Sequence, residues 1–341
     1  MKNKAKPILT IAIPTYNGGR YIKDALDSIL MQLPVNGHEK DDIDILISDN
    51  ASTDQAPDII ALYKKNHPDI ISCYRQAITL HADYNFDFAV RNARGKFVWL
   101  LSDDDALFPG SLEKVLTVMN QQEDIGAVFA NYRAYSSDLS APMESHVLPP
   151  RVDMLCHPGD TYFLQTEGRN SLVSSVIIKR DLWESIDTKE LMESGYVHFG
   201  AVLQVAAKAP SYIIFEPLVK MRCVKSSNRM IRGYFLGAQL GLFHIFKSLP
   251  RWGYSDSLSK KATRGLHRKV ARTIIVDRGH SFEFDDDLLN RFFASYKEYL
   301  SFWVVDLPLI FLPTIFHKAI YSLYKKCQSI TKNLTAKVSC K

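Results

Sequence analysis

Cysteine is scarce and scattered: Cys73, Cys156, Cys223, Cys327 and Cys340 stand far apart, with no CxxC pair. An odd, dispersed set of five gives neither a disulfide framework nor a zinc-ligand spacing, and it suits reduced thiols in a cytosol. Neither sign of charge dominates, with 42 Lys+Arg against 37 Asp+Glu and a formal net charge of +5. That balance gives no reason to expect nucleic acid as a partner. Gly18-Gly19 does not make a GxGxxG, so a dinucleotide-binding loop has no support. There is no internal repeat and no low-complexity tract. The start, MKNKAKPILTIAIPTYNGG, is basic and then apolar, but the run Ile8 to Ile13 is short and meets Pro14 without a small-residue cleavage site. No export signal is expected.

What is present is a globular composition. The 341 residues are 46% hydrophobic, 11% aromatic and 23% charged, which excludes a disordered or collagenous chain. The length suffices for one large domain with an appendage and a substantial core.

The first 120 residues alternate between strand and helix patterns. ILTIAI (8–13) is a continuous apolar run that suits a strand covered on both faces. YIKDALDSILMQ (21–32) places Ile22, Ala25, Leu26, Ile29 and Leu30 on one helical face. DIDILISD (42–49) reads as a strand, PDIIALYKKNHP (57–68) as a helix stopped by Pro68, and IISCYRQ (70–76) as a third strand. NFDFAVRNARG (85–95) reads as a helix, KFVWLLSDDD (96–105) as a strand ending in acid, and SLEKVLTVMNQ (111–121) as a helix. Such alternation predicts right-handed crossovers and a mainly parallel sheet. Ligands on such sheets sit beyond the carboxyl ends of the strands. Beyond residue 125, 127–135 and 174–183 read as strands, the second leading into a helix, and 136–160 as a long loop. Residues 200–209 read as a helix, 212–224 as strands, and everything after 226 as helical.

The tail has its own chemistry. From Tyr299 to His317 the sole formal charge is Asp306, and Pro308 and Pro313 break the apolar run, so it is marginal as a span. Lys318, Lys325, Lys326, Lys332, Lys337 and Lys341 follow, with no acid. Apolar residues followed by lysines suit a segment lying in a cytoplasmic membrane interface. A core helix pair with a solvated basic tail has the same composition.

Three polar clusters fall at strand ends. Asp103-Asp104-Asp105 is the sharpest, because three adjacent carboxylates repel unless something neutralises them. Mg²⁺ or Mn²⁺ does so through one or two carboxylates plus phosphate oxygens. A solvated acidic turn before Ser111 is the plain alternative. Asp49 can accept a hydrogen bond from a base imide or cap the next helix, and Tyr16 can stack on a nucleobase or pack. Arg91 and Arg94 can face a diphosphate or solvent.

Taken in order, Pro14-Thr15-Tyr16-Asn17, then Ile47 to Asp54 (ISDNASTD), then Gly95 to Asp105 (GKFVWLLSDDD) with Pro109-Gly110, resemble the family 2 glycosyltransferases of GT-A fold. The SDDDAL and NFDFAV wording is similar to bacterial O-antigen and abequosyl-type transferases. The resemblance implies an α/β GT-A nucleotide-diphospho-sugar transferase fold, a mainly parallel mixed sheet flanked by helices, with a helical C-terminal extension. It divides the chain into a GT-A domain, 1–225 (7–120 for the nucleotide sugar, 125–225 for the acceptor), and a helical, basic region, 226–341, suited to membrane association.

It further implies a nucleotide-sugar donor bound by Pro14, Thr15, Tyr16, Asn17, Asp49, Asn50, Asn85, Arg91 and Asp103. A divalent metal, Mn²⁺ or Mg²⁺, would sit on Asp104 and Asp105, and inversion at the sugar is expected. The acceptor would be a glycan or lipid-linked saccharide of polysaccharide biosynthesis, met at the cytoplasmic face of the inner membrane. Many relatives carry Glu-Asp before an apolar helix, the Asp serving as base. Here that place holds Tyr196-Val197-His198-Phe199-Gly200, so His198 is the expected base and Glu193 the nearest carboxylate substitute. Two rivals stand beside this reading. A sugar-1-phosphate nucleotidyltransferase needs an Arg-bearing glycine loop that PTYNGGRYI lacks, and a non-catalytic sugar- or nucleotide-binding scaffold would explain the missing acid.

Overall fold

The computed structural model describes residues 6–35, 42–143, 148–149, 151–223 and 234–322. By compactness the chain divides into two units, the first formed by residues 1–225 with Pro250–Ser255, the second by Ser226–Leu249 with Asp256–Lys341.

The first unit is built on a nine-stranded mixed sheet. Strands β1 (Leu9–Thr15), β2 (Ile43–Asp49), β3 (Ile71–Arg75) and β4 (Phe97–Leu100) are parallel, in the order β3-β2-β1-β4. Helices α1 (Ile22–Leu30), α2 (Ala56–Asn66) and α3 (Ala82–Asn92) make the crossovers. Every residue of β1 and β2 is buried, as a strand between neighbours and covered on both faces must be. α1 turns Ile22, Ala25, Leu26 and Ile29 into the core. Each of its three large aliphatics contributes ~1.5–3 kcal/mol by leaving water. α2 carries Pro57 in its first turn, where its missing N–H costs nothing.

Beyond β4 the sheet becomes mixed. β5 (Ala106–Leu107), α4 (Ser111–Gln121), β6 (Ala127–Tyr135), β7 (Met154–Cys156), α5 (Asp160–Thr166), β8 (Val176–Lys179), α6 (Arg180–Glu184), α7 (Val197–Ala206) and β9 (Ser211–Arg222) follow. β8 lies antiparallel between β4 and β6, and β6 runs parallel to β9. β5 and β7 both pair antiparallel with β9. Three expectations shift. The fourth strand stops at Leu100, so the aspartates lie in the turn before β5 rather than in the strand. The loop expected over 136–160 contains β7, whose three residues are too few to show a period. Residues 212–224, expected as several strands, form one twelve-residue strand with an irregularity opposite Ala130 and Tyr132.

The second unit is helical: α8 (Tyr234–Trp252, its last turn in the first unit), α9 (Asp256–His267), α10 (Val270–Gly279), α11 (Asp286–Tyr296), a wide π-type turn Phe302–Asp306, and α12 (Leu307–Phe311). Leu236, Phe243, Val270, Ile274, Phe292, Tyr296, Phe302 and Ile310 form its core. Among the described residues no single helix is long and apolar enough to cross a membrane. Lys325, Lys326, Lys332, Lys337 and Lys341, on which part of the membrane expectation falls, lie outside the described residues, as do Cys327 and Cys340. Cys73, Cys156 and Cys223 are free thiols, and burial pushes Cys156 up to about 11.

Candidate functional site

The carboxyl ends of β1, β2 and β4 are stitched together by short polar loops. Thr15 lies opposite Asp49 in the β1–β2 register, and Pro14 opposite Ser48. The Asn50 amide donates to the Thr15 carbonyl at 2.9 Å, which carries the pairing past the strand ends. The Asn17 amide donates to Ser52 Oγ (2.9 Å), and the Thr53 amide donates to Asn17 Oδ1 (2.8 Å). Asn17 (φ 52°) and Ala51 (φ 59°) take left-handed backbones to make these tight turns. Tyr16, just before Asn17, is 43% exposed.

Asp49 is buried, accepting from the Ser52 amide (2.9 Å) and facing Arg75 Nη1 at 3.2 Å. A carboxylate has about four acceptor positions, so these two donors leave capacity for a base imide as well. Asn50 is tied to the segment before α3, exchanging two hydrogen bonds with the Leu80 backbone. Asn85, buried on α3, donates to the Ser48 carbonyl and accepts from its hydroxyl, so it braces the β2 end. Arg91 lies elsewhere, bound to Asp87 Oδ2 (2.8 Å) and Thr188 Oγ1 (3.3 Å). Arg94 pairs with Asp44.

The acidic turn joins this group through Asp103, whose Oδ2 accepts from Thr15 Oγ1 at 2.5 Å. Gly18 is required there: a Cβ on it would fall 2.0 Å from that Asp103 oxygen and 2.5 Å from the threonine hydroxyl. Asp104 is half-buried and accepts from Ser102 Oγ at 2.6 Å. Asp105 points inward, accepting from Ser174 Oγ (2.6 Å) and from the Arg222 amide (2.9 Å). Its burial, and then the neighbouring Asp104 charge, push its carboxyl up to about 8.

The two carboxylates expected to share a cation therefore differ. Asp104 keeps a side chain that solvent can reach, while both oxygens of Asp105 are engaged inside the protein. Among the described residues no three His, Cys, Asp or Glu side chains converge as a metal-binding set. The donor set fits a hard cation that takes one protein carboxylate and completes its shell with phosphate oxygens and water.

Reading along the chain missed what holds this turn. The Arg222 guanidinium is almost fully buried and donates to the carbonyls of Asp104 and Ser137, each at 2.6 Å, and to Asp24 Oδ2 at 2.6 Å, with Tyr21 under its plane. Ser174 links Asp105 to the Ser102 amide, which donates to its hydroxyl. No local pattern marks either residue, because their partners are 69 to 198 residues away. A cavity of about 470 Å³ lies between α1 and β5, lined by Asp24, Asp27, Met31, Leu107, Asp138 and Lys220, and takes in none of the expected site residues.

At the head of α7 the buried Asp83 of α3 accepts from the Gly195 amide (2.8 Å) and the Val197 amide (3.1 Å), capping the helix across 112 and 114 residues. His198 is 1% exposed, with Nε2 at 2.9 Å from the Ser171 carbonyl and Phe86 edge-on to its ring. Because a carbonyl only accepts, Nε2 carries the proton, and Nδ1 keeps a lone pair with no hydrogen-bond partner among the described residues. Burial lowers its pKa, so the ring is neutral. Glu193 is exposed, on a left-handed backbone (φ 63°) in the preceding loop.

Comparison with known proteins bears on the family and the fold. The sequence profile of "Glycosyl transferase family 2" matches residues 10–182. Abequosyltransferase RfbV of Salmonella typhimurium is 32% identical over 189 residues, 53% of this chain and 55% of that protein. Putative glycosyltransferase EpsH of Bacillus subtilis is 29% identical over 146 residues, 41% of this chain and 38% of that protein. The matches thus span about half or less of these curated relatives. The structure of S. aureus TarS 1–349 with UDP-GlcNAc superposes with a TM-score of 0.60 at 12% identity, covering 87% of this chain and 75% of that one. Mannosyltransferase PcManGT from Pyrobaculum calidifontis, in complex with GDP-Man and Mn²⁺, gives 0.53 at 17%, covering 94% and 88%. The GT-A fold expected from the sequence is the fold observed.

Proposed function

The chain belongs to glycosyl transferase family 2, and from that premise we propose that it moves one sugar from a nucleotide-sugar donor to a lipid-linked or surface-polysaccharide acceptor. The observation that carries this reading is the joining of three strand ends: Thr15 is bonded to Asp103 and paired in register with Asp49. The carboxyl end of the sheet then offers an exposed aromatic, a buried acceptor and a carboxylate turn.

In this reading the base stacks against Tyr16 and its imide donates to Asp49. Pro14, Asn17 and Asn50 shape the loops around it, Asn85 braces the β2 end, and Asp103 with Thr15 meets the ribose side. Arg91 is engaged by Asp87 and Thr188 and takes no part on the diphosphate in this reading. A divalent cation, Mn²⁺ or Mg²⁺, when bound, neutralises the departing nucleoside diphosphate. Asp104, aligned by Ser102, would be its protein ligand, while Asp105 and Arg222 hold the turn in place. The acceptor hydroxyl attacks the anomeric carbon from the face opposite the diphosphate, which inverts the centre. Exposure favours Glu193 as the group that takes its proton, whereas His198 reaches an acceptor only by opening the packing of Phe86 and Tyr196 against its ring. Residues 125–225 form the acceptor side, and residues 226–341 keep the protein peripheral on the cytoplasmic face of the inner membrane.

The enclosed His198 favours a second reading, a sugar- or nucleotide-binding scaffold without turnover. Thermal-shift screening against UDP-, GDP-, CDP- and dTDP-sugars with Mn²⁺ tests donor binding, since a ligand of the native state raises its melting temperature by mass action. Release of nucleoside diphosphate separates the two readings, because a scaffold binds a donor and releases none. No shift with any of the four donors contradicts both.

A further inference from the structure

The second unit carries an apolar surface that its own fold leaves uncovered. Between Leu300 and Phe316 the chain sorts its residues onto two faces. Phe302, Asp306 and Ile310, spaced by four, are buried, the two apolar ones in the core with Phe292 and Tyr296. Outward stand Leu300 (79% exposed), Trp303, Val304, Phe311 (72%), Ile315 (73%) and Phe316. Asp306, the sole formal charge between residues 299 and 317, is withdrawn from that face: its Oδ2 lies 3.0 Å from His267 Nε2, whose ring stacks on Tyr296. Lys318 is exposed just past the apolar residues, and from Leu307 to Lys341 the sequence has six lysines and no acid.

We infer that this face docks on an anionic lipid bilayer, entering one leaflet only to the depth of its side chains. The inference deepens the membrane part of the proposed function and rests on the second unit alone. The helical stretches Phe302–Phe311 and Thr314–Ser322 meet at 107°. Each is about 15 Å long, half the ~30 Å hydrocarbon thickness, so neither crosses it. An apolar face followed in sequence by lysines without an acid is the pattern of an interfacial anchor, with burial and attraction to anionic headgroups adding. A second copy of the chain fits less well, because a two-fold contact would set Lys318 of each copy on one apolar seam, with no acid among residues 307–322 to pair with it.

Flotation of the full-length protein with phosphatidylcholine vesicles, with and without phosphatidylglycerol, tests this. The wild type should float with the anionic vesicles and far less with the neutral ones. The double variant Phe311→Glu with Ile315→Glu should bind anionic vesicles at least about tenfold more weakly, because it places two carboxylates where apolar groups enter the leaflet. Lys318→Glu should weaken binding by a smaller factor, and Leu62→Glu, at an exposed position on α2 of the first unit, should float like the wild type. All three variants should melt with the wild type, since every substituted side chain is exposed. Failure of the wild type to float with anionic vesicles overturns the inference, and so does a double variant that floats unchanged. A concentration-dependent dimer in place of vesicle binding, dissolved by the double variant, assigns the face to a second copy and also overturns it. Donor turnover in solution is read separately, so loss of one result leaves the other standing.

Discussion

The Nε of Arg222 donates to the main-chain carbonyl of Asp104 at 2.6 Å, so the end of β9 fixes the turn that presents the acidic residues. Since the same guanidinium serves Ser137 and Asp24, its removal strands two carbonyls in a closed space. Arg222→Met should lower stability by about 2–3 kcal/mol, most of it from those carbonyls. Asp24→Asn should cost under ~1 kcal/mol, because Asp24 is half-exposed and regains water. Denaturant unfolding of the two variants checks the ranking, and an Asp24→Asn loss as large as that of Arg222→Met would place the clamp on the ion pair instead.

Gly18 is a second constraint on the same turn. Gly18→Ala puts a methyl 2.0 Å from Asp103 Oδ2, and the flexible carboxylate must swing off Thr15. Donor affinity should fall by about tenfold or more, as misplacement near 1 Å can cost up to ~10²-fold. Titration of the donor by calorimetry reads this, and unchanged affinity would remove Asp103 and Thr15 from the donor cleft.

Much of this turn was legible along the chain, and the reason is local. β1, β2, α1 and the helix after Pro109-Gly110 are written in residues within a dozen positions of one another, by runs and periods. The polar residues at the strand ends are equally visible, since the crossovers put every carboxyl end on one side. What stayed hidden is long-range. β8 enters between β4 and β6 from some 80 residues downstream of β4, Arg222 finds Asp24 across 198 residues, and Asp83 caps α7 from α3. The spacing from which His198 is expected as the base says nothing of its burial, which depends on Phe86 and the Ser171 carbonyl. The same holds for Arg91, whose Asp87 partner is one turn away but whose Thr188 partner is not.

The base is separated by pH. Glu193→Ala should lower turnover by about 10²–10⁴-fold while donor binding stays nearly unchanged. His198→Ala should act more through packing, because a buried ring is lost. If His198 is the base, the wild-type rate falls only below the usual histidine range, since burial lowers its pKa. A Glu193→Ala enzyme with full turnover and a His198→Ala enzyme with none would transfer the role to the histidine.

Asp277 gives the second unit a pH dependence of its own. Its carboxyl is pushed up to about 6 by burial, against which it accepts one hydrogen bond from the Leu236 amide. The folded state therefore binds this proton more tightly than the unfolded state. The group destabilises the fold when ionised above pH 6, and that penalty fades as pH falls toward the unfolded value near 3.8. Asp277→Asn should thus be more stable than wild type by about 1–3 kcal/mol at pH 7.5, with the difference vanishing near pH 4. Thermal melts of both proteins between those pH values read the sign, and a variant less stable at pH 7.5 would contradict it.

The central claim, sugar transfer from a nucleotide donor on a cation held by Asp104, is tested most directly by release of nucleoside diphosphate. The assay uses the UDP-, GDP-, CDP- and dTDP-sugar panel with Mn²⁺, comparing wild type with Asp104→Asn. The half-buried, hydroxyl-aligned carboxylate of Asp104 predicts release by the wild type from a donor in the panel, abolished by chelation and lowered at least ~10²-fold in Asp104→Asn with the melting temperature retained. Release at the wild-type rate by Asp104→Asn, or release that ignores chelation, would contradict the account.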